Sequence, residues 1–310
     1  MNEFELIALL RPGLPANGAV VVGAGDDCAV LDMRAPGQWL LFKTDAVVEG
    51  IHFTPDAPPE KIGHKALARC LSDIAAMAGT PTAALVTLGL PRQFDPNYVK
   101  SIYAGLNALA RRYGVAIVGG ETTANPDRLF LSVAMIGAVA SGKAVLRAGA
   151  QPGDALFVTG ELGGSRAGKH LEFEPRLAEA QWLAGRFSLH AMIDLSDGLA
   201  GDLRHLLRAG NVGAELLARA IPISRAARLQ ARADSPAKPP LAAALTDGED
   251  FELLFSVAAK DAVPLMDAWK RQFPKLRLSC IGKITAEPGL KIRDQQASRL
   301  TDLTGYAHFV

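Results

Sequence analysis

The sequence predicts an α/β protein of the α+β kind, built as two mixed α/β domains, and three observations carry that prediction. Apolar runs of strand length alternate with amphipathic helical stretches in both halves of the 310-residue chain. Several neighbouring strands have no helix between them, which argues against a single doubly wound sheet. Ser141-Gly142 and then Ala148–Gly153 form a turn-rich stretch, so the domains are set at residues 1–141 and 142–310.

In the first half, a short helix and a Pro/Gly turn lead into Gly18–Val22 and the glycine-rich turn Gly23-Ala24-Gly25-Asp26-Asp27. Ala29–Leu31 and Trp39–Thr44 read as strands, the second delivering Thr44, Asp45, Glu49 and His52 at its end. Alone, that stretch reads equally as a solvated loop. Pro55–Pro59 breaks the chain before a helix over about 60–78. On one face of that helix fall Ile62, Ala66, Leu67, Cys70, Ile74 and Met77, and Asp73 lands among them. A carboxylate on a packing face is costly unless a cation or a hydrogen-bond donor meets it. Ala83–Leu90 is a strand, Pro96–Gly114 an amphipathic helix stopped by its glycine, and Val115–Val118 a short buried strand running into Gly119-Gly120-Glu121. Leu129–Val139 is a further strand.

The second half repeats the alternation. Ala155–Thr159 is a strand before the small-residue turn Gly160–Gly168. Arg176–Ala184 and Leu199–Arg208 are helices, Pro236–Pro240 an exposed linker, and Glu252–Val257, the helix around Asp261–Phe273, and Leu278–Ile284 complete the pattern.

Composition narrows the function. A net charge of +1 argues against a nucleic-acid or acidic-membrane binder held by bulk electrostatics. Cys28, Cys70 and Cys280 show neither zinc spacing nor a disulfide framework and read as free thiols. The acidic start lacks the regions of a signal peptide, and Leu129–Ala140 is too short to span a bilayer, so a cytoplasmic protein is expected.

Acids recur beside glycine, serine or threonine: Asp26-Asp27, Thr44-Asp45, Ser72-Asp73, Gly120-Glu121, Asp194-Leu195-Ser196-Asp197-Gly198 and Asp247-Gly248-Glu249-Asp250. Each alone is more often a turn or helix cap than a metal ligand. Together, oxygen-only donors suit hard divalent cations, Mg²⁺ first, and Mg–nucleotide chemistry. No Walker loop, GxGxxG fingerprint, kinase HRD or DFG motif, or GxSxG elbow is present. The backbone of Gly160–Ser165 is then one candidate phosphate cradle, with Arg147, which reads equally as an ordinary surface arginine.

The ordered motifs Gly25-Asp26-Asp27, Thr44-Asp45…Val48-Glu49-Gly50-Ile51-His52-Phe53, Leu71-Ser72-Asp73-Ile74-Ala75-Ala76-Met77, Gly119-Gly120-Glu121-Thr122-Thr123, Asp194-Leu195-Ser196-Asp197-Gly198 and Gly248-Glu249-Asp250-Phe251 resemble thiamine-monophosphate kinase, of the superfamily that includes aminoimidazole-ribonucleotide synthetase and selenophosphate synthetase. The resemblance covers nearly the whole chain. It implies an N-terminal dimerising domain, so a homodimer, a C-terminal domain and an ATP cleft between them. It implies transfer of the γ-phosphoryl group of ATP to thiamine monophosphate with several Mg²⁺ ions. By motif position Asp27, Thr44, Asp45, Asp73, Glu121, Asp194 and Asp197 would hold metal. Gly120, Arg147 and Ser196 would contact ATP, and His52, Glu249 and Tyr306 the thiamine substrate. The acceptor is a phosphate oxygen already ionised at neutral pH, so no catalytic base is assigned.

Four residues depart from the family pattern: Glu121 for Asp, Cys70 for Asn, Asp247 for Gly, and Lys43 where a small hydroxyl residue often stands. Lys43 either replaces a metal ion by charge or points away. The rival readings are another ligase or synthetase of the superfamily and a non-catalytic thiamine-phosphate-binding paralogue. Selenophosphate synthetase would want a reactive cysteine before the first acids, whereas Cys28 follows them.

Overall fold

The computed structural model describes residues 3–233, 236, 238–294, 298–301, 303 and 305–306. The chain divides into two compact units, one of residues 17–144 with 168–177, the other of residues 1–16, 145–167 and 178–310. They are called the N-unit and the C-unit.

After helix α1 (Glu3–Leu10), the N-unit contains β1 (Val20–Val22), β2 (Ala29–Leu31), β3 (Gln38–Val48), α2 (Pro59–Ala76), β4 (Thr80–Leu90), α3 (Pro96–Tyr113), β5 (Ala116–Ala124) and β6 (Phe130–Ala140). Its sheet runs β1-β2-β3-β6-β4-β5, antiparallel except for the β4–β5 pair. Helices α2 and α3 pack together closely. A Cβ on Gly63 would sit 1.8 Å from the Ile102 carbonyl oxygen, and one on Gly105 1.8 Å from that of Glu60. Only glycine fits at either position. Asp95 caps α3, accepting the Asn97 N–H at 2.8 Å, and Gly114 ends it in the left-handed conformation.

Two expectations change here. Strand β3 does not end at Thr44: it pairs with β6 from Gln38 to Val48, which places Thr44 and Asp45 in mid-strand. Their polarity suggested an end, but cross-strand pairing decides strand length. Strand β5 is longer than Val115–Val118 and exposed along nearly its whole length, because it is the sheet edge. Gly119-Gly120-Glu121 lie within it.

The C-unit contains β7 (Ala155–Thr159), β8 (Leu189–Asp194), α5 (Leu199–Gly210), β9 (Gly213–Leu217), α6 (Arg225–Ala233), α7 (Pro240–Thr246), β10 (Leu253–Val257), α8 (Ala262–Gln272), β11 (Leu278–Thr285), β12 (Gly289–Arg293) and β13 (Ser298–Leu300), with α4 (Leu177–Ala184) at its entry. The sheet order is β13-β12-β9-β11-β7-β10-β8. On one face Leu156, Val158, Ile193 and Leu254 pack with Leu199, Leu203 and Leu206 of α5. On the other, Phe157 stacks on Phe255 at 5.6 Å between ring centroids, and Trp182, Trp269 and Phe273 form an aromatic cluster. Part of the Pro236–Pro240 linker lies outside the described residues, and Pro240 itself begins α7. Among the described residues no helix is long and apolar enough to cross a membrane.

Candidate active site

In the N-unit the pleat of β3 sorts its polar residues. Alternate side chains face opposite sides of a sheet, so Leu41, Lys43, Asp45 and Val47 share the side of α2, while Phe42, Thr44 and Ala46 share the other. The hydroxyl of Thr44 therefore lies away from Asp45, 3.4 Å from Ser132 Oγ. On α2 the helical period turns Asp73 inward, and the cation that meets it is Lys43, with Nζ 2.8 Å from Asp73 Oδ1. The same ammonium is 3.9 Å from Asp45 Oδ2, and Arg69 Nη2 is 3.6 Å from Asp45 Oδ1. Burial alone would raise the Asp45 pKa, but Lys43 and Arg69 outweigh it and hold the carboxyl below its usual value. Burial likewise opposes the charge on Lys43, and Asp73 and Asp45 reverse that and raise its pKa well above normal.

Asp27, only 1% exposed, follows the glycine-rich turn, and its carboxylate lies within 4.8 Å of the Asp73 carboxylate. Two buried carboxylates this close, both hard oxygen donors, suit a divalent cation of the Mg²⁺ type. The neighbouring thiols belong to the inert class: burial first, then nearby acids, push the Cys28 and Cys70 pKa values well up. Cys70 donates to the Val133 carbonyl at 3.3 Å and sits under the sheet, which accounts for its tolerance at that position.

His52 is nearly buried and its Nδ1 accepts the Val48 N–H at 3.1 Å, so the neutral ring carries its proton on Nε2. Lys65, fully buried, donates to the His52 carbonyl at 2.6 Å and contacts His170 Nδ1 at 2.8 Å. Glu49 shapes the same turn: its carboxylate accepts the Leu129 N–H at 3.2 Å. Gly120 lies at φ +158°, and a Cβ there would be 1.8 Å from the Val86 carbonyl oxygen. Glu121 is exposed on β5 and accepts the Thr122 N–H at 2.9 Å.

In the C-unit, Asp194 closes β8, and backbone bonds lace the turn after it to two distant segments. Ser196 O accepts from Glu249 N at 2.7 Å, Leu195 O from Phe251 N at 2.8 Å, and Asp197 O from Tyr306 N at 2.8 Å. This gathers Asp194, Ser196, Asp197, Glu249 and Tyr306. Glu249 and Phe251 both have positive φ, +58° and +49°, strained values for residues with side chains. Asp202 on α5 joins the group and accepts the Asp197 N–H at 3.0 Å. Burial, then Asp197 and Asp194, push its pKa well up, with Arg147 acting in the opposite sense. His205 is lowered to about 4 by burial, Arg147 and Arg208. Beside Tyr306 opens a cavity of about 370 Å³ lined by Arg166, Gln230, Lys238, Thr246 and Asp247, and the Arg166 guanidinium stands 5.3 Å from the Tyr306 ring centre.

The glycine-rich loop of this unit does not offer the phosphate cradle considered above. Asp250 takes the Gly163 N–H at 2.9 Å and the Ser165 hydroxyl at 2.5 Å, and Asp247 takes the Gly164 N–H at 2.9 Å. Gly160 N–H and Leu162 N–H bond the Arg277 and Pro222 carbonyls. Internal carboxylates thus use amides an anion would need, and the departure at Asp247 is part of that arrangement. Sequence reasoning also missed Arg69, Asp202 and the anchoring role of Lys65. Arg69 and Asp202 had a signal: each is a charged residue near the inward stripe of its helix, the criterion that singled out Asp73.

Comparison with known proteins places this geometry. Residues 25–139 match the AIR synthase related protein N-terminal domain, and residues 151–295 match its C-terminal domain. Thiamine-monophosphate kinase of Rhodopirellula baltica is 39% identical over 295 residues, covering 93% of this chain and 91% of that one. The Escherichia coli K12 protein of the same name is 36% identical, covering 99% and 98%. A solved structure described as AaThiL complexed with AMPPCP and TMP has a TM-score of 0.84 at 29% identity, covering 99% of this chain and 97% of that chain. A thiamine-monophosphate kinase from Stenotrophomonas maltophilia K279a gives 0.75 at 33%, covering 95% and 98%.

Proposed function

We infer from its membership of the thiamine-monophosphate kinase family, to which this chain belongs, that it transfers the γ-phosphoryl group of ATP to thiamine monophosphate, giving thiamine diphosphate and ADP. The observation that carries the reading is the set of buried acids at the motif positions, Asp27 and Asp73 in one unit and Asp194 in the other. Asp27, Asp45, Asp73, Asp194 and Asp197, with Glu121 at the sheet edge, would hold Mg²⁺. Thr44, whose hydroxyl faces away from Asp45, is given no place in that set. Bound Mg²⁺ supplies the charge neutralisation that lets two anionic phosphates approach.

The chain's own residues do the positioning. His52 offers Nε2–H to an anionic oxygen, and Lys65 fixes the backbone from which it projects. Gly120 leaves β5 without a side chain where the nucleotide is to lie, and Arg147 adds a cation for its phosphates. Ser196 extends the nucleotide contacts. Glu249 and Tyr306 suit the substrate's other end, since a thiazolium is a cationic aromatic ring that favours a carboxylate and an aromatic face. The acceptor phosphate is already ionised, so the chain needs no general base.

Association into a homodimer is part of the proposal. Phe42 and Leu85 are each 47% exposed on the sheet side away from α2, and Val118 is 64% exposed on the β5 edge. Such an apolar, edge-exposed surface favours a second copy. A cytoplasmic location is proposed with it. The deciding assay incubates the pure protein with ATP, Mg²⁺ and either thiamine or its monophosphate. ADP release is expected with the monophosphate alone. No release with it, alongside release with another phosphorylated metabolite, would point to a different enzyme of the superfamily.

A further inference from the structure

Lys43 is held where a metal ion would otherwise be wanted. Eleven residues of β3 pair with β6 in continuous register, so its side chain cannot swing to the other face without inverting the strand. Its ammonium is 2.8 Å from Asp73 Oδ1 and 3.9 Å from Asp45 Oδ2. Arg69 Nη2 stands 3.6 Å from the other Asp45 oxygen. A Mg²⁺ ion held by Asp45 and Asp73 together would have to share their carboxylates with the ammonium, and like charge opposes that. Counting formal charges, the two carboxylates of Asp45 and Asp73 are matched by the two fixed cations Lys43 and Arg69.

We propose that Lys43 is a built-in cation that takes the place of one divalent ion at the Asp45–Asp73 pair. The chain then binds one metal ion fewer there than it would with a neutral residue at position 43. This rests on the magnesium reading given above and adds to it that metal demand is partly met by the fold.

Titration with Mn²⁺, following the free ion by electron paramagnetic resonance, tests it without turnover. Lys43→Thr and Lys43→Gln are expected to bind one more Mn²⁺ per chain than wild type, or to bind it about tenfold more tightly. Lys43→Arg is expected to match wild type. Melting curves give a second readout: the neutral variants should lose stability without metal and regain it with Mn²⁺, while wild type changes less. Equal stoichiometry and affinity in wild type and both neutral variants would overturn the role of Lys43 while leaving the magnesium reading intact. No Mn²⁺ binding by any of them, even with a non-hydrolysable ATP analogue, would overturn both.

Discussion

The acids of the N-unit and those of the C-unit are the same residue type in opposite electrostatic conditions. Asp45 and Asp73 lie against Lys43 and Arg69, and Asp45 is held below its ordinary pKa. Asp194, Asp197 and Asp202 lie against one another, and Asp202 is pushed well above it. In the first group two fixed cations outweigh burial at Asp45; in the second, burial and the charges of Asp197 and Asp194 outweigh the opposing Arg147 at Asp202. An acidic cluster read from sequence therefore does not by itself give metal demand. The fixed cations around it set how much charge an incoming ion must supply.

The largest expected difference comes from Asp73→Asn against Asp197→Asn. Both should lower turnover by at least about a hundredfold, the scale of losing one charge-stabilising group. Only Asp73→Asn should also cost about 2–3 kcal/mol of stability in urea titration, because it leaves the Lys43 ammonium inside without its closest partner. Equal stability loss in both would erase the contrast between the units.

A smaller effect concerns pH. His205 has a folded pKa lowered from 6.5 to about 4, so below 6.5 the unfolded chain takes up a proton that the folded chain refuses. Stability should fall as pH drops from 6.5 toward 4, by no more than about 3 kcal/mol, and His205→Gln should flatten that slope. Asp45 acts in the same direction at lower pH. Its depressed pKa gives a contribution fully present above the ordinary value of 3.8 and lost as pH falls through the folded one.

The smallest effect is at Asp202. Its raised pKa gives a contribution to folding that is fully present below the ordinary value of 3.8 and is lost as pH rises through the raised folded one. Asp202→Asn keeps an acceptor for the Asp197 N–H, and it should raise neutral-pH stability by about 1 kcal/mol while flattening that dependence. Destabilisation instead would mean that the mutual repulsion assigned to the C-unit acids is absent.

Local periodicity made the helices legible, and with them the inward face of Asp73. The ordered motifs, through their resemblance to the family, pointed to Ser196, Asp197 and Glu249, whose segments are joined by a backbone bond from Glu249 N to Ser196 O. What local periodicity could not show were partners supplied from far along the chain. Lys43 meets Asp73 across 30 residues, and Asp250 takes the Gly163 N–H and the Ser165 hydroxyl across more than 80. The strand end at Thr44 was misplaced for the same reason, since β6 sets the length of β3. Edge exposure of β5 likewise depends on sheet order, which a run of Val, Ala and Ile does not encode.

The most direct measurement follows the γ-phosphate itself. With γ-labelled ATP, Mg²⁺ and thiamine monophosphate, label is expected in thiamine diphosphate in a one-to-one ratio with ADP, and none with thiamine. Label in inorganic phosphate alone, or in a product that does not contain thiamine, would contradict the assignment.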